Sequence, residues 1–477
     1  MRSNFEVLKR AGIVFGVAML SLAHAAAEPA KPNLVFVFAD QWRAQATGYA
    51  GDPNLQGKTP NLDRLAEQSV NLVNIVSTVP VCTPYRASLL TGQYPLTHGL
   101  FLNDAPLNPE LNTIGKAFEA AGYDTGYVGK WHVDGHGRAR YIPKERRQGF
   151  EYWKVLECTH NYNKSRYYEN NDPSMKMWKG YDAFAQTQDV MHYISEHAKD
   201  EKPFAVFLSW GPPHNPYSSA PKKFQQLFPP EKIQLRPNVP AAKEKAARKD
   251  LAGYYAHIAA LDHCVGELLS TLDAEGLWEN TIFVFTSDHG DMLGSHGQKL
   301  KQQPYDESCR VPFLIRYPDR LGPVGKKVDM PIGTPDIMPT LLGLCGIAVP
   351  SRVEGSDYSH VLTGQAPPDN EAALIECIGP FGSWNRSSGG REYRGIRTRR
   401  HTYVRDLDGP WLLFDNKKDP HQMTNLVDSP EAKPVQEKLE SILTAKLAER
   451  GDEFRPGEEY IKQWGYTVDE RGNIRYK

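Results

Sequence analysis

The chain has 477 residues, 40% of them hydrophobic and 24% charged, with a formal net charge of −1. That length and composition can bury a large core, and the near-zero charge argues against a general electrostatic binder of nucleic acid. The six cysteines, at positions 82, 158, 264, 309, 345 and 377, are too scattered for a disulfide scaffold or a zinc knuckle.

Residues 1–27 read as an export signal. Arg2, Lys9 and Arg10 precede an apolar run from Ala11 to Ala23, and Ala25 to Ala27 offer small-residue cleavage sites. The run is too short to span a bilayer. No cysteine stands near the cleavage site to carry a lipid, so the mature protein is expected to be secreted or periplasmic, with no membrane anchor. Export permits disulfides, but if Cys82 does chemistry an odd number remains and at least one more cysteine is unpaired.

Apolar runs then alternate with segments of helical period. "NLVFVFA" (Asn33 to Ala39) is a buried-strand run, "NLDRLAEQS" has helical spacing, and "VNLVNIV" reads again as a strand. "PVCTPYRASLLTG" sets a lone thiol between two prolines, ahead of a small-residue run that can open a helix. "NTIGKAFEAAG" predicts a helix ended by Gly122, and "DTGYVG" and "PFAVFLS" predict strands. Leu251, Tyr254, Ile258, Leu261, Val265, Leu268 and Leu272 keep helix period over many turns. "TIFVFTS" (Thr281 to Ser287) is another strand. Such alternation predicts an α/β fold with a mostly parallel sheet covered by helices on both faces. Past Pro368 the texture changes: "REYRGIRTRRHTYVRD" and "GPWLLFDNKKD" read as antiparallel strands, followed by an amphipathic helix. The expected division is a main catalytic domain over 28–368 and a smaller C-terminal α+β subdomain over 369–477.

Four predicted strands release chemistry at their C-terminal ends. Asp40 and Gln41 follow the first, and Lys130, Trp131 and His132 follow "DTGYVG". "WGPPHNPY", with His214, follows "PFAVFLS", and Asp288, His289, Gly290 and Asp291 follow "TIFVFTS". Open α/β sheets bind ligands at such ends. The oxygens of Asp40, Gln41 and Asp288 suit a hard divalent cation such as Ca²⁺ or Mg²⁺, and the His289 imidazole also admits Mn²⁺ or Zn²⁺. An aspartate at a strand end can instead cap the next helix, a reading that weakens when two occur together. Lys130, His132, His214 and a downstream lysine could hold an anion and move protons, where the plainer reading is solvated loop charge.

"CTPYRASLLTG" matches the Cys-x-Pro-x-Arg signature of the type I, formylglycine-dependent sulfatases, of the alkaline-phosphatase-like superfamily. "FADQ", "TPNLDRLA", "TGQYPLTHG", "GKWH", "PPHNPY", "SDHGDMLGSHG" and "KQQPYDESCRVP" follow that family's order, so the chain from about Asn33 to Tyr317 resembles it, as a secreted bacterial polysaccharide sulfatase. The resemblance implies that a maturation enzyme, formylglycine-generating or anaerobic, converts Cys82 to formylglycine. One hydroxyl of the hydrated aldehyde attacks sulfur, and deprotonation of the second then expels sulfate, which a serine could not do without an outside water. It implies a divalent metal, most often Ca²⁺ with Mn²⁺ or Mg²⁺ as alternatives, on Asp40, Gln41, Asp288, His289 and modified Cys82. Arg86 would steady the nucleophile, Lys130 and Lys301 (rather than Lys299) would bind sulfate oxygens, His132 would be the base of the second step and His214 the acid for the leaving oxygen. Many members have Asp-Asp at 40–41 and Asp-Asn at 288–289, so this chain carries fewer carboxylates. The Asp-Gln pair also occurs in relatives that cleave phosphate or phosphonate esters.

Residues 136–168 carry eight Lys or Arg against three Glu, among aromatics that include Tyr152, Trp153, His160, Tyr162, Tyr167 and Tyr168, and "REYRGIRTRRHTYVR" carries six Arg against one Glu. Rings suit sugars and cations suit sulfates, so a sulfated carbohydrate is the expected substrate. A marine algal glycan such as carrageenan, ulvan or fucan is favoured over a glycosaminoglycan. The competing reading is that these charges pair with acids elsewhere. A phosphodiesterase or phosphonate hydrolase on the same scaffold, a thiolate hydrolase and a non-catalytic glycan binder are the rival functions. The last two sit poorly with Asp40 and Asp288 and with the complete set of candidate catalytic residues.

Overall fold

The near-continuous apolar runs become the centre of a twisted sheet. In the computed structural model, which describes residues 31–367 and 372–475, sixteen strands follow the chain. They are β1 (Asn33–Asp40), β2 (Val70–Leu72), β3 (Ile75–Val76), β4 (Asp124–Lys130), β5 (Tyr152–Leu156), β6 (Arg166–Glu169), β7 (Asp172–Met177), β8 (Phe204–Pro213), β9 (Thr281–Ser287), β10 (Phe313–Arg316), β11 (Lys326–Val328), β12 (Ile332–Gly333), β13 (Ala372–Cys377), β14 (Tyr393–Thr398), β15 (His401–Asp406) and β16 (Gly409–Asp415). The expected export signal lies outside the described residues, and the expected boundary at 368/369 falls in the undescribed segment 368–371. No helix among the described residues is long and apolar enough to cross a membrane.

Ten strands form one sheet in the order β11-β2-β10-β9-β1-β8-β4-β5-β6-β7. The five from β9 to β5 run parallel, with antiparallel pairings at β9–β10, β10–β2, β5–β6 and β6–β7. Side chains alternate across a strand, so β1 serves two cores. Leu34, Phe36 and Phe38 face one, and Val35, Val37 and Ala39 face the other. The helix Glu244–Ala274 lays Leu251, Ile258, Leu261, Val265 and Leu268 on the second. The helix Cys82–Thr91 packs Tyr85, Leu89 and Leu90 into the first. Parallel pairing puts the C-terminal ends of β9, β1, β8 and β4 on one edge, and this sets the site.

One predicted strand divides. "VNLVNIV" becomes β2 in the large sheet and β3 in a two-stranded sheet with β12. Between them the Asn74 amide donates to the carbonyls of Asp329 and Thr398, so the chain changes partners there. The antiparallel sheet β13-β14-β15-β16 also alternates. Ala373, Ile375 and Cys377 pack with Val76 and Cys309, while Leu374 and Ile396 pack on Leu439, Leu443 and Leu447 of the helix Lys433–Glu449. All six cysteines are free and buried.

Candidate active site

The spacing in "CTPYR" has a geometric reason. Cys82 is the first residue of its helix and Arg86 stands one turn on, so both project from the same face. The thiol is buried rather than displayed on an open turn, with 1% of Cys82 exposed. Its Sγ lies 3.7 Å from both Asp40 carboxylate oxygens, 3.4 Å from His289 Nε2, 3.2 Å from Lys301 Nζ and 3.6 Å from Lys130 Nζ. Burial and the Asp40 charge push the thiol up, but Lys130, Lys301 and His289 outweigh both and hold it well below its ordinary value.

Arg86 ties four strand ends together. It donates to Ser209 Oγ at 2.7 Å, to the Lys130 carbonyl at 2.9 Å, and to Asp288 Oδ2 at 3.0 Å, with Asp40 Oδ2 at 3.5 Å. Its guanidinium lies over the Phe38 ring. Lys130 Nζ also donates to Asp40 Oδ2. Of the two downstream lysines, Lys301 points at the thiol and Lys299 pairs with Asp250 at the surface.

Asp40, Cys82, Asp288 and His289 each offer one ligand atom within 4.8 Å of the others. His289 Nδ1 donates to the Gly290 carbonyl at 2.9 Å, which turns Nε2 toward the cluster. Gln41 is fully buried and its Oε1 has no hydrogen-bond partner. A buried orphan oxygen on the residue after Asp40, whose backbone N–H meets Asp288, fits a divalent cation.

The two histidines are prepared differently. His132 Nε2 meets Asp104 Oδ1 at 3.0 Å, and Arg138 holds the other Asp104 oxygen at 2.7 Å. Burial opposes a charged imidazole, but Cys158 and the Asp104 bond push His132 up to about 10. His214 donates from Nδ1 to the Asn215 carbonyl and stacks on His160, with centroids 4.3 Å apart. Burial, with the Lys301 charge next, holds it well below the ordinary histidine value. At rest His132 therefore carries a proton and His214 does not.

The sulfatase family model matches residues 32–347, and that for the C-terminal part of N-sulphoglucosamine sulphohydrolase matches residues 294–449. An ulvan-active sulfatase of Formosa agariphila is 49% identical over 92% of this chain and 86% of its own. The chain belongs to the sulfatase family. An endo-4-O-sulfatase of Bacteroides thetaiotaomicron is 31% identical over 88% of this sulfatase and 92% of its own length. A structure solved in work on glycosaminoglycan metabolism by that organism superposes with a TM-score of 0.79 at 29% identity, covering 91% of this chain and 99% of the other. As a family member it is a sulfuric ester hydrolase, of a family that generally uses formylglycine and a divalent metal.

The structure finds other partners for many of the cationic and aromatic residues offered as substrate contacts. All six arginines of "REYRGIRTRRHTYVR" are in ion pairs: Arg391 with Asp406, Arg394 with Asp452, Arg397 with Asp306, Arg399 with Asp329, Arg400 with Asp415 and Arg405 with Glu440. Arg138, Lys144, Arg146 and Lys154 are likewise paired with acids. Trp153, Tyr162 and Tyr168 are core residues, and Tyr167 stacks on Trp178. These paired and packed side chains serve the fold, which is the competing reading for them, while His160 stacks on His214. Sequence reasoning also missed Asp104 and Cys158, and it named Asp291 without giving it a role. Asp291 stood inside the quoted "DHGD", whereas no local pattern marked Asp104. Cys158 is buried beside His132, Lys130 and His160, and their charges outweigh its desolvation and bring it down to about 5.

Proposed function

We propose that the protein is an exported enzyme that removes sulfate esters from a sulfated algal polysaccharide of the ulvan type, intact or as oligosaccharides. The observation that carries the reaction is the placement of Cys82 Sγ within 3.7 Å of Asp40, His289, Lys130 and Lys301 together. The substrate class follows the ulvan-active relative. The export signal supports a polymer met outside the cytoplasm.

In this reading Cys82 is converted to formylglycine, whose hydrate supplies one hydroxyl to attack sulfur and a second to release sulfate. Asp40, Gln41, Asp288 and His289, with residue 82, would hold Ca²⁺, which would supply Lewis-acid polarisation of a sulfate oxygen and a lowered pKa for the attacking hydroxyl. Lys130 and Lys301 offset charge on the sulfate oxygens. Arg86 fixes Asp40 and Asp288 in place. Asp104 orients His132, which in its neutral form would take up the proton of the residue-82 hydroxyl. His214 would give a proton to the leaving oxygen, and an incoming anion offsets the Lys301 and Lys130 charges that, after burial, depress it.

The deciding measurement is sulfate release, by ion chromatography, from a panel of ulvan, carrageenan, fucan and glycosaminoglycans, using protein whose residue 82 is formylglycine by mass spectrometry. Release from ulvan is expected. Silence on the whole panel, with turnover of aryl phosphate or phosphonate esters, would replace the reading with phosphorus chemistry. His214→Ala should lower kcat on sugar sulfates by about 10²–10⁴-fold and on nitrophenyl sulfate by less than about tenfold, because nitrophenolate leaves without a proton. Equal losses on both would remove His214 from the acid role.

A further inference from the structure

Gln41 stands where many relatives carry a second aspartate, and an amide poses a problem that a carboxylate does not. Only its oxygen can bind a cation, and the NH₂ end is nearly the same size. The backbone of Gln41 is pinned on both sides. Its N–H donates to Asp288 Oδ1 at 3.0 Å, and its carbonyl accepts from Tyr254 OH at 2.9 Å. Its φ is +73°, so the main chain is held in an unusual conformation. The remaining freedom is the flip of the carboxamide.

Asp291 removes that freedom. Its Oδ1 accepts from the backbone N–H groups of Leu293 and Leu300, each at 3.1 Å. Its Oδ2 accepts from Tyr217 OH and, at 2.6 Å, from Gln41 Nε2. Four donors meet one carboxylate, which has room for about four. A flipped Gln41 would set its oxygen lone pairs against Asp291 Oδ2. Both Asp291 and Gln41 are fully buried, so water cannot relieve that contact. Asp291 comes from the "DHGD" run and Tyr217 from "PPHNPY", so these motifs carry residues beyond the ligands and the acid.

We infer that Asp291, supported by Tyr217, is a positioning residue that locks the Gln41 amide with Oε1 toward Asp40, Asp288 and His289, making a neutral oxygen ligand where relatives use a charged one. The inference rests on the metal site proposed above. It predicts a specific rescue. In Asp291→Asn the two backbone N–H groups claim the Asn oxygen, and its NH₂ then faces Gln41 and drives the flip. In Asp291→Asn with Gln41→Glu, the Asn NH₂ donates to one Glu oxygen and the other still meets the cation.

The test is calorimetric titration of Ca²⁺, repeated with Mn²⁺, into the full-length wild type and these variants, with no substrate present. D291N should bind at least about tenfold more weakly than wild type, and the double variant should return to within about threefold of it. D291N binding within twofold of wild type, or a loss that Q41E does not rescue, would overturn the inference. If D291N does not fold alone, the double variant is compared with Q41E. It should bind at least about tenfold more tightly, because Q41E alone opposes two carboxylates, and equal affinities would overturn the inference. A wild type that binds neither metal would overturn both readings. A wild type that binds Ca²⁺, loses it on D291N and regains it in the double variant, yet releases no sulfate, would support this inference and overturn only the proposed reaction.

Discussion

Cys82→Ala is expected to abolish sulfate release, by on the order of 10⁴-fold or more in kcat, while the protein unfolds within a few degrees of the wild type. The two outcomes separate because the thiol contributes chemistry but no scaffold. Its helix begins at Val81 in an extended conformation with no side-chain cap, and ends at Gly92 in the left-handed region where glycine is favoured. Neither end uses Cys82. Alanine at the first helical position costs nothing in propensity, and the lost sulfur is one heavy atom in a polar pocket. Ion chromatography reads the first outcome and a thermal melt the second. Sulfate release above about a hundredth of the wild-type rate would remove residue 82 from the nucleophile role. A collapse of the melting temperature would mean that the thiol instead balances Lys130 and Lys301 in the resting fold.

That chemistry was legible because it obeys two periodicities that survive in one dimension. Strand ends show where an apolar run stops, and this located Asp40, Lys130, His214 and Asp288 before any fold was in view. The Cys-x-Pro-x-Arg signature joined Cys82 to Arg86, and the helix explains their spacing. What stayed hidden depends on contacts between distant segments. Asp104 lies in a loop, and only the fold brings it to His132, twenty-eight positions away. Cations are the opposite case. The six arginines around Arg397 were conspicuous in sequence, yet a row of charges does not reveal whether acids lie across from it. Here five of the six partners come from other segments, as when Asp306 meets Arg397 at 3.0 Å across ninety-one positions. The division of "VNLVNIV" failed for the same reason, because Asn74 changes partners through carbonyls more than two hundred residues away.

Replacing Arg86 by methionine should cost about 3–5 kcal/mol of stability in metal-free protein, and clearly less with saturating Ca²⁺. The side chain is 1% exposed and its guanidinium serves Asp288, Asp40, Ser209 and the Lys130 carbonyl together. Burial disfavours its charge, yet Asp288, Tyr127 and Asp40 hold the guanidinium above its ordinary value. Methionine preserves much of the packing over Phe38 and deletes the charge. Asp288 then remains buried beside Asp40, with His289 as its nearest cation. A divalent ion on the same carboxylates would supply the missing charge, and tight binding to the native state adds stability by mass action. Urea unfolding of wild type and Arg86→Met, each with chelator and with Ca²⁺, gives four free energies and one coupling term. If Arg86 balances the carboxylates that a cation also balances, the cost of the substitution should fall by at least half on adding Ca²⁺. An unchanged cost would assign Arg86 to the strand-end bonds at Ser209 and Lys130 instead. The metal would then have to meet Asp40 and Asp288 without help from the residue that the Cys-x-Pro-x-Arg spacing places beneath them.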